Sequence, residues 1–517
     1  MRSEVQVLSG PHHEPVGQSR GALGQHTSYP QEVVRVTDPL VAVQVGAVSF
    51  ADEGFDTVID TLADTAAANA LFLATPTWTR GTGGRQLEGY PLPDHGVQEY
   101  DRSWRGGNYA SVHPEFYGNT VLGPVGRAAE HPQWDLLAEV IPRARERGMS
   151  SYAWIEESST SPQLRAYPNF PKVLEVDVWG RPATRPCFNN PDYRNWHLGL
   201  VEDYAKSYDL DGLAWCSERP GPLNLIMQGP VGPGEVGCFC RWCQEMGRQR
   251  GIDVPRAQAG LAALVEWNRR VGEGDRTADG AFTAFWRILL RHPEVLAWQT
   301  LWTDSQWQLY RDIYGIAKAG NPALQIGWHL YHNISFSPFY RADQDYGQLS
   351  RFSDFLKVVA YNNCAGPRFV TAIAHLCRAL FADATPEEVE PLLSRLLGHQ
   401  EAELSRLPQV GFSPDYVRRE TERAVAGVAG RARIYTGIDV DIPVGRPALR
   451  AEVKGNDWDD LPSAGLTQCT RESVRDAVLA AMGGGADGVV VSRKYSEMRL
   501  GTLAGVGDAI RSASLGS

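Results

Sequence analysis

Short apolar runs alternate along the chain with segments in which apolar residues recur at helical spacing. Eight of these runs are rich in β-branched or aromatic residues, a composition typical of β-strands. They cover residues 41–50, 70–78, 150–158, 211–218, 325–333, 356–363, 432–441 and 487–497. Segments such as WDLLAEVIPRARERG and SVRDAVLAAMGGG lie between them and have the periodicity of amphipathic helices. Eight strands that alternate with helices form parallel βαβ units and predict an α/β fold, the closed (β/α)8 TIM barrel.

The lengths of the connections predict one barrel with two large insertions. The chain after the fourth strand, at about 219–324, and after the sixth, at about 364–431, is much longer than a simple loop. Long insertions at this face of a barrel commonly build the walls of a substrate pocket. Residues 36–517 are therefore expected to form a single catalytic domain. Residues 1–35 are polar and contain no apolar run, which predicts a flexible arm and argues against a secretory signal.

Composition narrows the class of protein. The chain is 43% hydrophobic and 21% charged, as in soluble globular proteins, and its net charge of −11 comes without any basic run. Nucleic acid is therefore not an expected partner. No apolar stretch of about 18 residues occurs, so no membrane span is expected and a cytoplasmic location is the default. The composition leaves a homo-oligomer open.

Carboxylates stand at the ends of several predicted strands, where TIM barrels build their active sites. Glu218 ends the fourth strand, and Asp439 and Asp441 end the seventh. Glycoside hydrolysis needs two carboxyl groups beside the scissile bond, one as an acid and one as a nucleophile or base. The fourth and seventh strands lie across the barrel mouth from each other. We therefore expect Glu218 to be the acid, with a raised pKa, and Asp439 or Asp441 to be its partner, with Glu497 as a third candidate.

Further polar and aromatic side chains at strand ends suit contacts with sugar hydroxyls and rings. The candidates are Trp78, Glu156, Glu157, Trp215, His329, Tyr331, His332, Asn333, Asn362, Asn363, Arg493 and Glu497. Each alone is weak evidence, because a strand Trp is more often core and a strand-end carboxylate is as often paired with a nearby Arg or Lys. Their density favours a glycosidase acting on a small glycoside or oligosaccharide, and the long insertions around the mouth favour exo-type action. Retention of configuration is favoured over inversion.

The stretch CFCRWC places Cys238, Cys240 and Cys243 in C-x-C-x2-C spacing. Eight cysteines in a cytosolic chain of 517 residues are better explained as metal ligands or free thiols than as a disulfide framework. Zinc takes four ligands, and an all-thiolate site is usually structural because no position stays open for water. The candidates for the fourth ligand are Cys187, Cys216, Cys364, Cys377 and Cys469. The alternative is a set of buried thiols packed around Phe239 and Trp242.

These motifs together resemble the family 42 glycoside hydrolases of the β-galactosidase type. The resemblance rests on the strand-end Glu218, the cysteine triplet about 20 residues later and the segment C-x-N-x-P-x-Y-R at 187–194. The motifs lie within about 185–245, and beyond them the similarity is one of architecture over about 36–510. The resemblance implies an acid/base role for Glu218. It also implies a structural zinc held by Cys187, Cys238, Cys240 and Cys243.

The sequence also departs from this family. Ser217 stands where the family has Asn before its acid/base, and the seventh strand offers Asp where the family has Glu. None of the family's accessory domains is expected after the eighth strand, so the family's trimer is not implied. The substrate need not be a galactoside. One alternative is a non-catalytic carbohydrate-binding barrel that has lost the catalytic pair. A zinc hydrolase is a weaker alternative, because a closed thiolate site leaves no position for a reacting water.

Overall fold

The computed structural model describes residues 38–78, 82–86, 90–101, 103–157, 167–232, 234–444 and 469–515. Eight parallel strands within these ranges close into a barrel, which confirms the predicted TIM-barrel fold. The barrel strands are β1 Leu40–Gly46, β2 Ala70–Ala74, β3 Ser150–Glu156, β6 Gly212–Cys216, β7 Gln325–His329, β8 Phe355–Val359, β9 Arg433–Asp439 and β10 Gly488–Ser492. Strands β4 Leu174–Val176 and β5 Pro182–Pro186 form a separate antiparallel hairpin. The predicted arm at 1–35 lies outside the described residues.

Helices surround the barrel. They are α1 Ala47–Glu53, α2 Phe55–Ala66, α3 Leu136–Glu146, α4 Pro191–Ser207, α5 Pro222–Gln228, α6 Arg241–Gln249, α7 Val254–Gly272, α8 Ala281–Arg291, α9 Glu294–Gly320, α10 Pro338–Asp343, α11 Tyr346–Leu349, α12 Asn362–Cys377, α13 Pro386–Leu397, α14 Leu407–Val410, α15 Pro414–Val428, α16 Arg471–Gly483 and α17 Leu500–Leu515. Helices α5–α9 lie between β6 and β7, and α12–α15 lie between β8 and β9. No described helix has the length and apolar character needed to cross a membrane.

Alternation along each strand divides the core into two layers. Side chains such as Phe72, Trp154 and Phe355 fill the barrel interior, while the residues between them pack outward against the helices. The parallel register aligns Glu156 on β3 with Cys216 on β6, and Cys216 with His329 on β7. Their side chains therefore gather at the C-terminal mouth of the barrel.

Candidate active site

Glu218 lies just beyond the end of β6, at the barrel mouth. Ala214 and Cys216 belong to the interior layer, and the two-residue period of the strand carries Glu218 to the same side. Its side chain is 44% exposed, in contrast to the residues below it, which are buried. The strand thus presents one carboxylate to solvent at the position where TIM barrels carry out their chemistry.

His329, at the end of β7, forms a hydrogen bond with this carboxylate. The distance from His329 Nε2 to Glu218 Oε1 is 2.8 Å, and the imidazole is buried. Burial, as the main influence, together with the charge of Lys357 lowers the pKa of His329, so the ring is neutral at neutral pH. An ionised carboxylate only accepts hydrogen bonds, so Nε2 carries the proton and donates it to Glu218. The opposite atom, Nδ1, is buried and has no partner among the described residues.

The pKa of Glu218 is lowered, so the prediction of a raised value is wrong. Desolvation is the largest single influence and acts to raise this pKa. The hydrogen bond from His329 and the positive charges of Arg368 and Lys357 together outweigh it. Glu218 is therefore an ionised carboxylate at neutral pH. Such a group is suited to act as a nucleophile or base, not to donate a proton.

Cys216 completes a compact group with this pair. One potential ligand atom from each of Cys216, Glu218 and His329 lies within 4.8 Å of the others. The nearby cationic side chains of Lys357 and Arg368 would repel a metal cation at this point. We therefore interpret the group as a carboxylate–imidazole pair above a buried thiol.

Glu156 supplies a second carboxylate at the mouth. It ends β3, the strand next to β6, and its side chain is partly exposed. Thr82 Oγ1 donates to Glu156 Oε2 at 2.7 Å, and Thr77 Oγ1 donates to the same atom at 3.2 Å. Glu156 and Glu218 are the two predicted strand-end carboxylates that are adjacent in the barrel and both reach solvent.

The two aspartates predicted as partners of Glu218 occupy other environments. Asp439 is fully buried, and its carboxylate accepts hydrogen bonds from the backbone N–H groups of Asn363 (3.2 Å) and Cys364 (2.8 Å). Its two oxygens thus accept hydrogen bonds from backbone N–H groups that have no partner within the first turn of α12. Asp441 forms an ion pair with Arg499 at 2.7 Å and accepts the Arg499 backbone N–H at 2.9 Å, next to the start of α17. Both contacts organise helix ends, and neither aspartate contacts Glu218.

Two further predicted carboxylates are buried in ion pairs. Glu157 accepts hydrogen bonds from Arg219 (2.8 Å), Ser217 (2.6 Å) and Tyr193 (2.6 Å). Glu497 is buried and forms an ion pair with Arg493, whose side chain is 32% exposed. Both carboxylates thus have a cationic partner within the protein, as expected for buried charges.

The structure distributes the predicted sugar-binding residues between the core and the mouth. Trp215 packs edge-on against Tyr310 between the barrel and the helices, and Trp78 packs against Trp196; both side chains are buried. His332, Asn362 and Asn363 are buried. His332 forms hydrogen bonds with Tyr416 and Arg368. Asn362 donates to the Phe412 carbonyl, and Asn363 donates to Asp439. Tyr331 and Asn333 are partly exposed; Tyr331 packs against Tyr340, and Asn333 donates to Gln228.

Lys357 and Arg368, whose charges lower the pKa of Glu218, are site residues that were not predicted from the sequence. Lys357 lies in the interior layer of β8, and Arg368 lies on α12. The signal for Lys357 was available, because a lysine inside the apolar run FLKVVA points into the barrel by strand alternation. Arg368 gives no such signal, since only the fold brings α12 toward Glu218.

The four cysteines implied by the resemblance come together in one buried cluster. Their sulfur atoms lie within 4.8 Å of one another, with 3.4 Å between Cys187 and Cys243 and 3.6 Å between Cys187 and Cys240. A tetrahedral zinc with bonds of about 2.3 Å separates its sulfurs by about 3.8 Å, so the set has the right size and chemistry for that ion. Burial is the main cause that raises the pKa of Cys238, so buried thiolates here would need a compensating cation.

N–H groups surround these sulfurs. The backbone N–H of Asn189 donates to Cys187 Sγ (3.3 Å), that of Val176 donates to Cys238 Sγ (3.4 Å), and Asn189 Nδ2 donates to Cys243 Sγ (3.3 Å). Such donors stabilise thiolate ligands. Since Val176 belongs to β4, the cluster also fixes the β4–β5 hairpin against the chain that follows α5.

Comparison with known proteins places the fold among those of glycoside hydrolases. No protein-family model matches the sequence, and no curated protein sequence is similar to it. Among solved structures, the β-galactosidase from Marinomonas ef1 aligns with 92% of this chain at 10% identity and a TM-score of 0.50. The β-galactosidase from Halorubrum lacusprofundi (14%, TM-score 0.47) and α-L-fucosidase isoenzyme 2 from Paenibacillus thiaminolyticus (12%, TM-score 0.46) also align with 92% of it. The chain spans 60%, 57% and 49% of these three proteins, respectively, and the likeness at such identities is one of fold.

Proposed function

We propose that the protein is a glycoside hydrolase, with residues 36–517 as its catalytic domain and Glu218 as its central catalytic carboxylate. The observation that carries the proposal is the Glu218–His329 pair, an ionised, solvent-facing carboxylate at the mouth of a closed (β/α)8 barrel. The neighbouring carboxylate of Glu156 supports the proposal, since glycoside hydrolysis needs two such groups.

The ionised state of Glu218 suggests which role each of the two carboxylates takes in the reaction. Glu218 is suited to attack the anomeric carbon, while Glu156 protonates the leaving oxygen as its bond to that carbon breaks. In the second step Glu156 takes a proton from water, which hydrolyses the glycosyl ester on Glu218 and retains the configuration. This assignment gives Glu218 the nucleophile's role in place of the acid's. The long insertions that carry α5–α9 and α12–α15 favour exo-type action on a small glycoside, since such insertions commonly form the walls of a substrate pocket.

A mechanism-based label tests the assignment. The enzyme is first screened for turnover of aryl glycosides and is then treated with the 2-deoxy-2-fluoro analogue of the best substrate, which accumulates a glycosyl-enzyme. Peptide mass spectrometry should place the label on Glu218. With azide, Glu218→Gly should give a glycosyl azide of inverted configuration, and Glu156→Ala one of retained configuration. A label on Asp439 or Asp441, or azide products of the opposite configurations, would contradict the assignment.

We also propose that Cys187, Cys238, Cys240 and Cys243 bind a structural zinc ion. The compact sulfur cluster and its N–H donors support this, and four thiolates leave no open position for catalysis. The ion would supply positive charge and a cross-link between the β4–β5 hairpin, the start of α4 and the start of α6. It takes no part in bond cleavage.

Metal analysis and thermal unfolding test the zinc site. The purified protein should contain one zinc per chain, and Cys238→Ser should lose it and lower Tm by at least about 5 °C, because metal binding to such sites is coupled to folding. Cys377→Ser is the matched control, since Cys377 is a partly exposed thiol on α12 outside the cluster. Full stability without metal, or a red iron-containing protein, would contradict a zinc site.

A carbohydrate-binding barrel without catalysis is the second candidate. The burial of Asp439 favours it, because this strand-end carboxylate is committed to α12. Calorimetry on sugars that bind, together with no turnover and no fluoro-sugar adduct across the panel, would favour this candidate over the hydrolase.

A further inference from the structure

Lys357 is a fully buried lysine inside the barrel. It lies in the middle of β8, and its Nζ donates to Ser492 Oγ (2.7 Å), Gln44 Oε1 (2.8 Å) and Tyr361 OH (3.0 Å). These three neutral oxygens use all three ammonium protons. Among the described residues no carboxylate forms an ion pair with it. The ammonium is thus hydrogen-bonded but not neutralised.

Such an arrangement is unfavourable for folding. Transfer of a charge into a barrel interior is costly unless an opposite charge compensates it, and an apolar side chain would fill the same space without this penalty. Burial lowers the pKa of Lys357 to about 7, so the folded protein holds its proton far less tightly than the unfolded chain does. A residue that destabilises the fold in this way is a candidate for a functional role.

A short path connects Lys357 to the Glu218–His329 pair. Its Nζ lies 4.4 Å from the centre of the Trp154 ring, and the Trp154 ring meets His329 edge-on with 5.2 Å between centroids. His329 and Lys357 are also register neighbours on β7 and β8. The ammonium group therefore contacts the ring that also meets His329, and Lys357 lies beside His329 on the neighbouring strand.

We propose that Lys357 is a positioning residue of the active site, whose buried ammonium, in contact with the Trp154 ring that meets His329, holds the Glu218–His329 pair in place and favours the form with an ionised carboxylate and a neutral imidazole. The use of this state in catalysis rests on the proposed function, whereas the electrostatic coupling does not. The charge lowers the pKa of both partners in the same direction. Through Trp154 it also fixes the face of the imidazole that meets the carboxylate.

Two of the groups packed around Lys357 raise its pKa by their charge, Cys216 first and then Glu218. Burial raises the pKa of the Cys216 thiol well above its usual value, so Glu218 is the one of the two that is charged at neutral pH. The titratable groups are Cys216 from β6, Glu218 beyond it, His329 from β7 and Tyr361 after β8. The neutral groups are Gln44 from β1, Trp154 from β3, Gly437 from β9 and Ser492 from β10. Glu218 is the one carboxylate whose charge raises the pKa of Lys357, so the attraction between the two is mutual.

Lys357→Met removes the charge with little change in shape and provides the test. The pKa of Glu218, followed by carboxyl carbon NMR, should rise by roughly half to one unit, and that of His329 should also rise. The acidic limb of kcat/KM should move by the same amount, a loss of about three- to tenfold on that limb. The Tm of the variant should exceed that of the parent below about pH 7, and the difference should shrink from pH 7 to about 10, where the parent's folded state loses its buried charge before the unfolded chain does.

Thr436→Val is the matched control. Thr436 is a buried polar residue of neighbouring β9, but its hydroxyl faces outward to Thr421 on α15 at 2.9 Å. Thr436→Val should leave the titrations of Glu218 and His329 unchanged. If Lys357→Met fails to fold, Lys357→Gln takes its place in the test. Unchanged titrations of Glu218 and His329 in the Lys357 variant would overturn the proposal. Shifted titrations in a protein without any glycosidase activity would support the coupling and refute only the proposed function.

Discussion

Glu218 and Arg219 are neighbours in the chain whose side chains lie in opposite environments. Glu218 faces solvent at the barrel mouth, whereas Arg219 is buried and stacks on Phe188 at 4.1 Å. The guanidinium pairs with Glu157 at 2.8 Å and with Glu175 of the hairpin at 2.9 Å. One arginine thus ties the β3 end, the hairpin and the backbone beside Glu218 together, and it connects the cysteine cluster to the candidate active site.

Arg219→Met should destabilise the protein strongly. The change leaves Glu157 as an uncompensated buried charge and leaves Glu175 with the longer ion pair to Arg185 at 3.5 Å, so the free energy of unfolding at pH 7 should fall by about 3–5 kcal/mol. Urea denaturation measures this value. Arg248→Met is the control, because its ion pair with Glu245 is about half exposed and should contribute less than about 1 kcal/mol. Adding Glu157→Gln and Glu175→Gln should restore part of the loss, and an Arg219→Met protein as stable as the parent would contradict this account.

The beginnings of the barrel elements could be predicted, but their ends could not. Each predicted strand starts within one residue of the observed strand, because burial on both faces imposes a continuous apolar run. The runs continue past the strands: the residues after Gly46 form α1, and those from His332 to Ser335 form a turn of 3-10 helix. An apolar run has no periodicity that separates a strand from a buried helix. The hairpin was missed because its strands are short and are held by Arg219 and the cysteine cluster.

Local sequence patterns predicted only part of the candidate site as well. The position of Glu218 beyond a strand end could be predicted, because strand alternation is a local property. Ligand spacing grouped only Cys238, Cys240 and Cys243, and Cys187, which the structure brings next to them, followed from the family resemblance. Asp439 stands at an equivalent strand end, but its environment is the N-terminus of α12, which follows a different strand. Tertiary packing alone determines whether a strand-end carboxylate is exposed or accepts hydrogen bonds from the N-terminus of a helix. The lowered pKa of Glu218 likewise depends on three residues from three other elements.

Buried ion pairs spread over the whole molecule predict that it is sensitive to acid. Desolvation is the largest influence on Glu157 and on Glu420 and acts to raise both pKa values, but the paired arginines outweigh it and lower them. Glu157 pairs with Arg219, and Glu420 pairs with Arg341 and Arg423. A carboxylate with a lowered folded-state pKa stabilises the fold above its unfolded pKa of about 4.3, and this contribution is lost as the pH falls through the folded value.

Tm measured between pH 7 and pH 3 should therefore stay nearly constant down to about pH 5 and then fall steeply. In that acidic window the unfolded chain binds more protons than the folded protein, so stability must decrease as the pH decreases. The triple variant Glu157→Gln, Glu175→Gln, Arg219→Met removes the buried ion-pair group around Arg219 and should have a shallower acid slope than the parent. The exposed-pair variant Glu245→Gln, Arg248→Met should keep the parent's slope, because a solvated pair contributes little to stability. Equal slopes in all three proteins would assign the acid sensitivity to other carboxylates, and a parent protein whose Tm stays constant to pH 3 would contradict the role of the buried pairs altogether.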